Sequence, residues 1–384
     1  MRRFAYVAIW LLVFTIPWEN TLVLESVGTV AKASGWVVGG VGVAITLIEN
    51  RVRLPLCLHI GAVFVAWSWL SGIWSIDRDS TVTRAFTYTQ LWVMAWLIYQ
   101  YTDRLDGLLS AYVWGAGVAV GLTIYAFAQG IQAAYLRFAA QGFDPNDLSV
   151  YLALAIVFSA FLATKSPHPL SKAIYLAYIP LVALAVLLTG SRTGAVAFVI
   201  ALIAMVLGIR RMDWRWQVTA LSLSVAGGII VASFVPWESI SRVATLLTEL
   251  REGTWNMRLL IWKAGLTVFG EHLVLGVGAG AFRAAVNPLV LQEAAPHNVF
   301  LAVAVEGGIP ALLVWNAFIF TSFAEVLCQK HPERWLWIGV VLVLASAFIA
   351  LNFEWRKTTW VMMALAAIAK RRITLTKGEE QARP

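Results

Sequence analysis

The sequence predicts an all-α fold, a polytopic bundle of about twelve membrane-spanning helices with one larger loop between spans. Three observations predict it. Of the 384 residues, 60% are hydrophobic and only 13% are charged, where a soluble domain carries about 25% charged residues; the mean hydropathy is +0.75. Apolar runs near the ~20 residues that a spanning helix needs recur along the whole chain. Backbone polar groups inside a bilayer must be satisfied within their own segment, and the sequence lacks the weak alternation of a membrane β-barrel, so the spans read as helices. The 19 tryptophans fit a chain with many water–lipid boundaries, where indole is favoured.

The net charge of +8 does not predict a nucleic-acid partner. The basic residues are dispersed between apolar runs, with none of the patterns of a nucleic-acid-binding fold. Cys57 and Cys328 lie far apart, in or beside spans, so neither a disulfide framework nor a metal cluster is expected. No cofactor motif is expected either.

Taken in order, the spans fall at about 4–17, 27–48, 54–74, 85–101, 107–129, 147–164, 171–189, 193–209, 217–235, 297–327, 335–352 and 357–370, by windows of ~20 residues. The first and last are short enough to lie at the interface. Arg2-Arg3 followed by the apolar residues 4–16 looks like a signal sequence, but Pro17-Trp18-Glu19 follow where small residues would mark cleavage. An uncleaved first span is expected. Basic residues set the orientation. With the N-terminus in the cytoplasm, that side gathers Arg2, Arg3, Arg51, Arg53, Arg210, Arg211, Arg215 and Lys370-Arg371-Arg372. The loop at 236–296 then faces outward, and the polar tail at 371–384 is expected to be disordered in the cytoplasm. Residues 1–384 read as a single integral membrane domain without an internal repeat.

The outward boundaries carry the candidate chemistry. Gly190-Ser191-Arg192-Thr193-Gly194 joins two spans in a tight turn. An arginine there either snorkels at a helix end or, with its fork of donors, meets phosphate oxygens. Arg258 falls in a predicted helix over residues 254–270. Trp255, Leu259, Trp262, Leu266 and Phe269 at helical spacing give that helix an apolar face. Arg258 faces lipid headgroups or a ligand at the edge of that stripe. His297-Asn298 opens an apolar run after Ala295-Pro296. Proline suits a first helical turn, which places His297 at a helix N-terminus. It caps and packs there, or serves as a base, since imidazole is mostly neutral outside the cell.

Glu306-Gly307-Gly308 interrupts the same run about three turns in. A carboxylate there needs a partner or water, and it is expected to neutralise an arginine of the site. Gly307-Gly308-Ile309-Pro310 is expected to kink the helix. Gly276-Val277-Gly278-Ala279-Gly280 lacks the strand and acid of a dinucleotide site and reads as a tight turn. Asp77-Arg78-Asp79 has the spacing of a metal–sugar-nucleotide motif but reads as a solvated loop. Asp144-Pro145-Asn146-Asp147 reads as a turn and helix cap, with contact to sugar hydroxyls as its other possibility. Arg84, at the outward start of a span, is a third candidate for binding a diphosphate.

The ordered set of these motifs resembles the O-antigen ligase / O-antigen polymerase (Wzy_C-type) family of membrane glycosyltransferases. The matching stretches are Trp74-Ser75-Ile76-Asp77 with Arg84, the Asp144-Pro145-Asn146-Asp147 turn, and Thr189-Gly190-Ser191-Arg192-Thr193-Gly194. They continue through Arg258-Leu259-Leu260-Ile261-Trp262, the glycine turn at 275–282, and His297-Asn298 with Glu306-Gly307-Gly308. The resemblance covers about residues 70–310. It implies a GT-C-like bundle whose periplasmic loop, 236–296, holds catalytic elements on amphipathic helices. It implies a glycan donor on undecaprenyl pyrophosphate and transfer to lipid A–core or a related glycan at the outer face of the bacterial inner membrane. Arg192, Arg258 and Arg84 would bind the pyrophosphate and His297 would be the catalytic base. Ser191, Asn298 and Glu306 would support them, without a metal or other cofactor.

Two other functions fit some of the same features. A polymerase of the family would differ only in its acceptor. A lipid flippase would explain the many spans and the broken helix, but it would place charges near the midplane of several spans. Here they gather at one boundary, which favours an enzyme acting there.

Overall fold

Every predicted apolar run contains a helix in the computed structural model, which describes residues 2–25, 28–252, 257–291, 293–328 and 331–381. Helices α1 (Arg2–Thr15), α2 (Val30–Glu49), α3 (Leu56–Leu70), α4 (Arg78–Tyr101), α5 (Leu105–Ala128) and α6 (Pro145–Lys165) make up the first part of the chain. They are followed by α7 (Pro169–Leu188), α8 (Arg192–Ile209) and α9 (Trp214–Phe234). Three helices then fill the predicted loop: α10 (Trp237–Glu252), α11 (Arg258–Glu271) and α12 (Phe282–Val290). Helices α13 (Val299–Cys328), α14 (Arg334–Ala350) and α15 (Lys357–Gln381) complete the order. The β structure among the described residues is a two-residue antiparallel pairing of Val23–Leu24 with Gly28–Thr29 and an isolated bridge between Ala134 and Arg137.

Among the described residues, eight helices are long and apolar enough to cross a membrane: α2, α3 with its 3-10 extension to Ile73, α5, α6, α7, α8, α9 and α13. The chain is a multi-pass helical membrane protein. Four of the twelve expected spans, those over α1, α4, α14 and α15, do not meet that measure of length and composition. Helices α1 and α14 are apolar but have only 14 and 17 residues, while α4 and α15 are long but open or close on polar sequence. The expected disordered tail is also corrected, because α15 continues to Gln381. The turn where disorder was expected is anchored: Arg371 donates to Thr102 O at 2.6 Å and Tyr99 O at 3.1 Å, and pairs with Asp103.

The chain divides into two units, one of residues 1–41, 104–248 and 329–346, the other of 42–103, 249–328 and 347–384. In the first unit α6 is central and packs against α5, α7 and α8. Its sequence from Leu148 to Ala163 is apolar or small on every side, so every face can pack against a neighbouring helix; 94% of its apolar window is buried. Asp144 caps α6 by accepting from the backbone N–H groups of Asn146 and Asp147, with Pro145 in the first turn. Helix α8 can approach α6 closely because residue 194 is glycine; a Cβ there would stand 2.2 Å from Ser149 Oγ. Helix α9, only 17% buried, leaves Leu221, Val225 and Ile229 exposed.

In the second unit α3, α4, α13 and α15 pack on one another, and α11 lies on α12 and α13. Phe64, Tyr88, Trp315, Phe318 and Trp360 fill the core with tilted and edge-to-face rings. Helix α13 breaks where the sequence predicts, at Gly308 (φ 68°, ψ −169°), ahead of Pro310. The break exposes backbone groups that the glycine turn then satisfies. Val277 and Gly278 donate to Val305 O and Glu306 O at 3.0 and 2.9 Å, and Ile309 donates to Leu273 O at 2.8 Å. Gly276, Gly278 and Gly280 all have positive φ, as expected of a tight turn.

Candidate functional site

In the second unit the site is built around the broken helix. Glu306, 7% exposed, accepts hydrogen bonds from the backbone of Gly280 and Phe282. Arg84 acts on it electrostatically, so the expected neutralising arginine is Arg84. That guanidinium also donates from Nη1 to Glu354 Oε1 at 3.2 Å. It hydrogen-bonds Tyr88, one helical turn on, and lies 4.9 Å from the Trp355 ring centroid. Arg356 stands 3.8 Å from the same centroid. Burial, reinforced by Glu306 and opposed by Arg84, pushes the Glu354 carboxyl up to about 7. Glu306 also lines a small cavity with Trp67, Ser68, Ser71 and Tyr88.

Arg258 is the first residue of α11 and follows Met257, whose φ is 65°. The predicted start at Thr254 and the contact of Trp255 lie outside the described residues. The predicted apolar stripe holds in part: Trp262 and Phe269 pack beside the buried face of Ile261, Gly265 and Val268, while Leu259 and Leu266 are 45% and 60% exposed. They sit on the side of the helix away from Phe282 and Val286 of α12 and Leu301 and Val305 of α13, which cover the buried face. Trp262, one turn past Arg258, donates from its indole to Pro296 O at 2.8 Å. This ties α11 to the residue before His297.

His297 has φ 43°, uncommon for a residue with a side chain. It stands outside α13, and Pro296 with it, so proline does not open the helix as expected. Asn298 is the cap. Its Oδ1 accepts from Leu301 N–H at 3.0 Å and its carbonyl from Ala302 N–H. The Asn298 side chain thus starts a helix. Asp77 is likewise a cap, on α4, accepting from Ser80 N–H at 3.1 Å, with Asp79 in the first turn.

The first unit holds Arg192. Ser191 caps α8 by accepting from Gly194 N–H at 2.9 Å and donates to Asn146 Oδ1 at 2.9 Å. Arg137 donates to the same Oδ1 and to Thr189 O, both at 2.8 Å. Asn146 therefore joins the starts of α6 and α8. The Arg192 guanidinium donates to Thr245 Oγ1 from Nη2 at 2.8 Å and from Nε at 3.2 Å, and to Arg242 O at 3.2 Å. Arg137 is held below the usual guanidinium range by burial, then by Arg242 and Arg192, against the pull of Asp144. Sequence reasoning missed Arg137, Arg242, Thr245 and Glu354, which lie in stretches with no motif. Only charge and distance from span centres pointed to the two arginines and the glutamate, and nothing pointed to Thr245. Among the described residues no group of three or more His, Cys, Asp or Glu is gathered for a metal ion.

Residues 177–316 match the family model Wzy_C, described as O-antigen ligase. The chain is also similar to an O-antigen ligase from Pseudomonas aeruginosa, 30% identical over 263 residues, which covers 63% of this chain and 62% of that relative. The chain therefore matches less than two thirds of the relative's length. The Wzy_C interval runs from within α7 to within α13 and includes Ser191, Arg192, Arg258, His297, Asn298 and Glu306; Arg84 and Glu354 lie outside it.

Proposed function

We propose that the chain is an O-antigen-ligase-type glycosyltransferase. It moves a glycan from undecaprenyl pyrophosphate to an acceptor hydroxyl, on lipid A–core or a related surface glycan, at the periplasmic face of the bacterial inner membrane. The observation that carries the reading is that one Wzy_C interval contains both arginines and the histidine that the chemistry needs. The loop between α9 and α13 faces the periplasm in this reading, and both termini face the cytoplasm.

His297 takes the proton as the acceptor oxygen attacks the anomeric carbon. The bond from that carbon to the pyrophosphate oxygen breaks, and the electron pair leaves with the pyrophosphate. Arg192 and Arg258 hold that group and stabilise the charge it gains, so no acid is required at the leaving oxygen. Arg84, already engaged by Glu354 and Glu306, takes a structural part under the glycine turn rather than a place on the diphosphate. The α11–Pro296 tie keeps Arg258 in register with the histidine segment. The reaction needs no metal.

The test is transfer by purified protein from a glycan on undecaprenyl pyrophosphate to lipid A–core, in EDTA. A larger lipid A–core product, reduced about 10²–10⁴-fold in His297→Ala, is expected. Longer chains that remain on undecaprenyl would make it a polymerase. Lipid movement across vesicles without transfer to any acceptor would make it a flippase. Full transfer by both His297→Ala and Arg192→Ala would overturn the assignment.

A further inference from the structure

The α8–α9 turn of the first unit joins a cluster of cations to a bare apolar face. Arg210 and Arg211 follow α8, Arg215 lies in the first turn of α9, and Lys172 lies near the start of α7. The first turn of α9 holds them together. Its Gln217 amide donates to Met212 O at 2.8 Å and to Arg210 O at 3.4 Å. The Lys172 ammonium stands 5.5 Å from the Trp216 ring centroid, and the Arg215 guanidinium 6.0 Å from that of Trp214. Arg211 is engaged elsewhere, donating from Nη1 to Pro332 O at 2.5 Å. Asp213 is the one acidic residue of the turn, and its side chain does not cap α9. Among the described residues no carboxylate, Asp213 included, lies within ion-pair distance of Lys172, Arg210 or Arg215. Trp214, 69% exposed, heads a stripe on α9 that continues at helical spacing through Val218, Leu221, Val225 and Ile229, all exposed. The other side of α9 is the buried one, with Gly227 against Pro180 of α7.

We propose that this end of the first unit binds an anionic phospholipid, with the headgroup phosphate on Arg210 and Arg215, Lys172 beside them, and an acyl chain along the Trp214–Ile229 stripe. Guanidinium forks match phosphate oxygens. A soluble anion would use the cations and leave the stripe idle, whereas a phospholipid uses both. Trp214 stands where the two parts of that ligand meet, and indole is favoured where lipid meets water. The site shares no residue with the transfer chemistry and does not rest on it.

The experiment is native mass spectrometry of the purified full chain in detergent, titrated with phosphatidylglycerol or with phosphatidylcholine, to count the lipid retained. Phosphatidylglycerol should be retained in preference. Arg210→Gln and Arg215→Gln should each weaken its retention about fivefold, the effect of one basic residue beside an anionic lipid, and Arg210→Lys should keep most of it. Leu221→Gln, which leaves every charge in place, should also weaken it. Arg51→Gln removes the same charge from the α2–α3 connection of the second unit and should retain lipid like the wild type. Equal retention of the two lipids, or an equal loss in Arg51→Gln, would overturn the site. So would displacement of phosphatidylglycerol by an equal concentration of inorganic phosphate, which would make it a site for a soluble anion. Retention is read without turnover, so a chain that transfers no glycan but keeps phosphatidylglycerol through Arg210 keeps this site and loses the transferase reading.

Discussion

Glu354 accepts the Arg84 Nη1–H at 3.2 Å through Oε1, while its Oε2 is buried without a hydrogen-bond partner among the described residues. Glu354 is 2% exposed and the Arg84 side chain 24%. Removing the cation leaves Glu354 and Glu306 facing each other with less compensation. Arg84→Met should lower stability by about 3 kcal/mol, the low end for a broken buried pair because Arg84 keeps some water. Thermal unfolding in detergent checks it. An unchanged midpoint would remove the structural part assigned to Arg84.

The same pair predicts a pH dependence. The Glu354 carboxyl has an ordinary value of 4.5 and stands at about 7 in the folded protein. Between those values the folded chain holds a proton that the unfolded chain has released. The associated stability is full below pH 4.5 and is lost as pH rises through 7. The unfolding midpoint should fall between pH 5 and 8, and the fall should be smaller in Glu354→Gln. A parallel fall in both proteins would place the titration elsewhere.

The glycine turn predicts a contrast between two alanine substitutions. Gly278 has φ 107°, and a Cβ there would stand 2.5 Å from Ser75 Cβ. Gly278→Ala should destabilise the protein by at least ~1–3 kcal/mol from backbone strain, with the collision in addition. It should also lower transfer, because the turn supports Glu306. Gly270, inside α11, has open space around it; Gly270→Ala should be neutral or stabilise by up to ~1 kcal/mol. Paired melting curves and transfer rates decide the point.

Asn298 offers a way to separate capping from substrate contact. Asn298→Ala should cost about 1 kcal/mol in stability, while Asn298→Ser and Asn298→Asp keep the cap. If its role ends with the cap, transfer by the serine and aspartate variants should stay near wild type. A large loss of transfer in a fully stable Asn298→Asp would instead put the amide on the substrate.

Span positions, the turn at Gly190, the cap at Asp144 and the kink at Gly308 were legible because each depends on residues near in sequence. Apolar length, a capping side chain before a helix, and glycine beside proline are local signals. The misreadings share one cause, tertiary context. The buried face of α11 is chosen by α12 and α13, so Leu259 and Leu266 are exposed although their spacing suggests a stripe. Glu354 lies 270 residues from Arg84, and Arg242 lies 50 from Arg192. No pattern of spacing connects either pair. The capping duty of Asn298 toward Leu301 N–H likewise appears only once the helix start is known.

The broken helix has a consequence for motion. Val277, Gly278 and Ile309 stitch the glycine turn to α13 with three backbone bonds that cross from one segment to the other. None of the three can open by fraying of its own helix. They are released together or not at all, so their amide protons should exchange with deuterium at matching rates, as one cooperative element. The half of α13 between Asn298 and Gly308 belongs to that element. The histidine segment is thus held by a clasp with two sides, and loosening the glycines should speed exchange in residues 299–307, which carry no substitution.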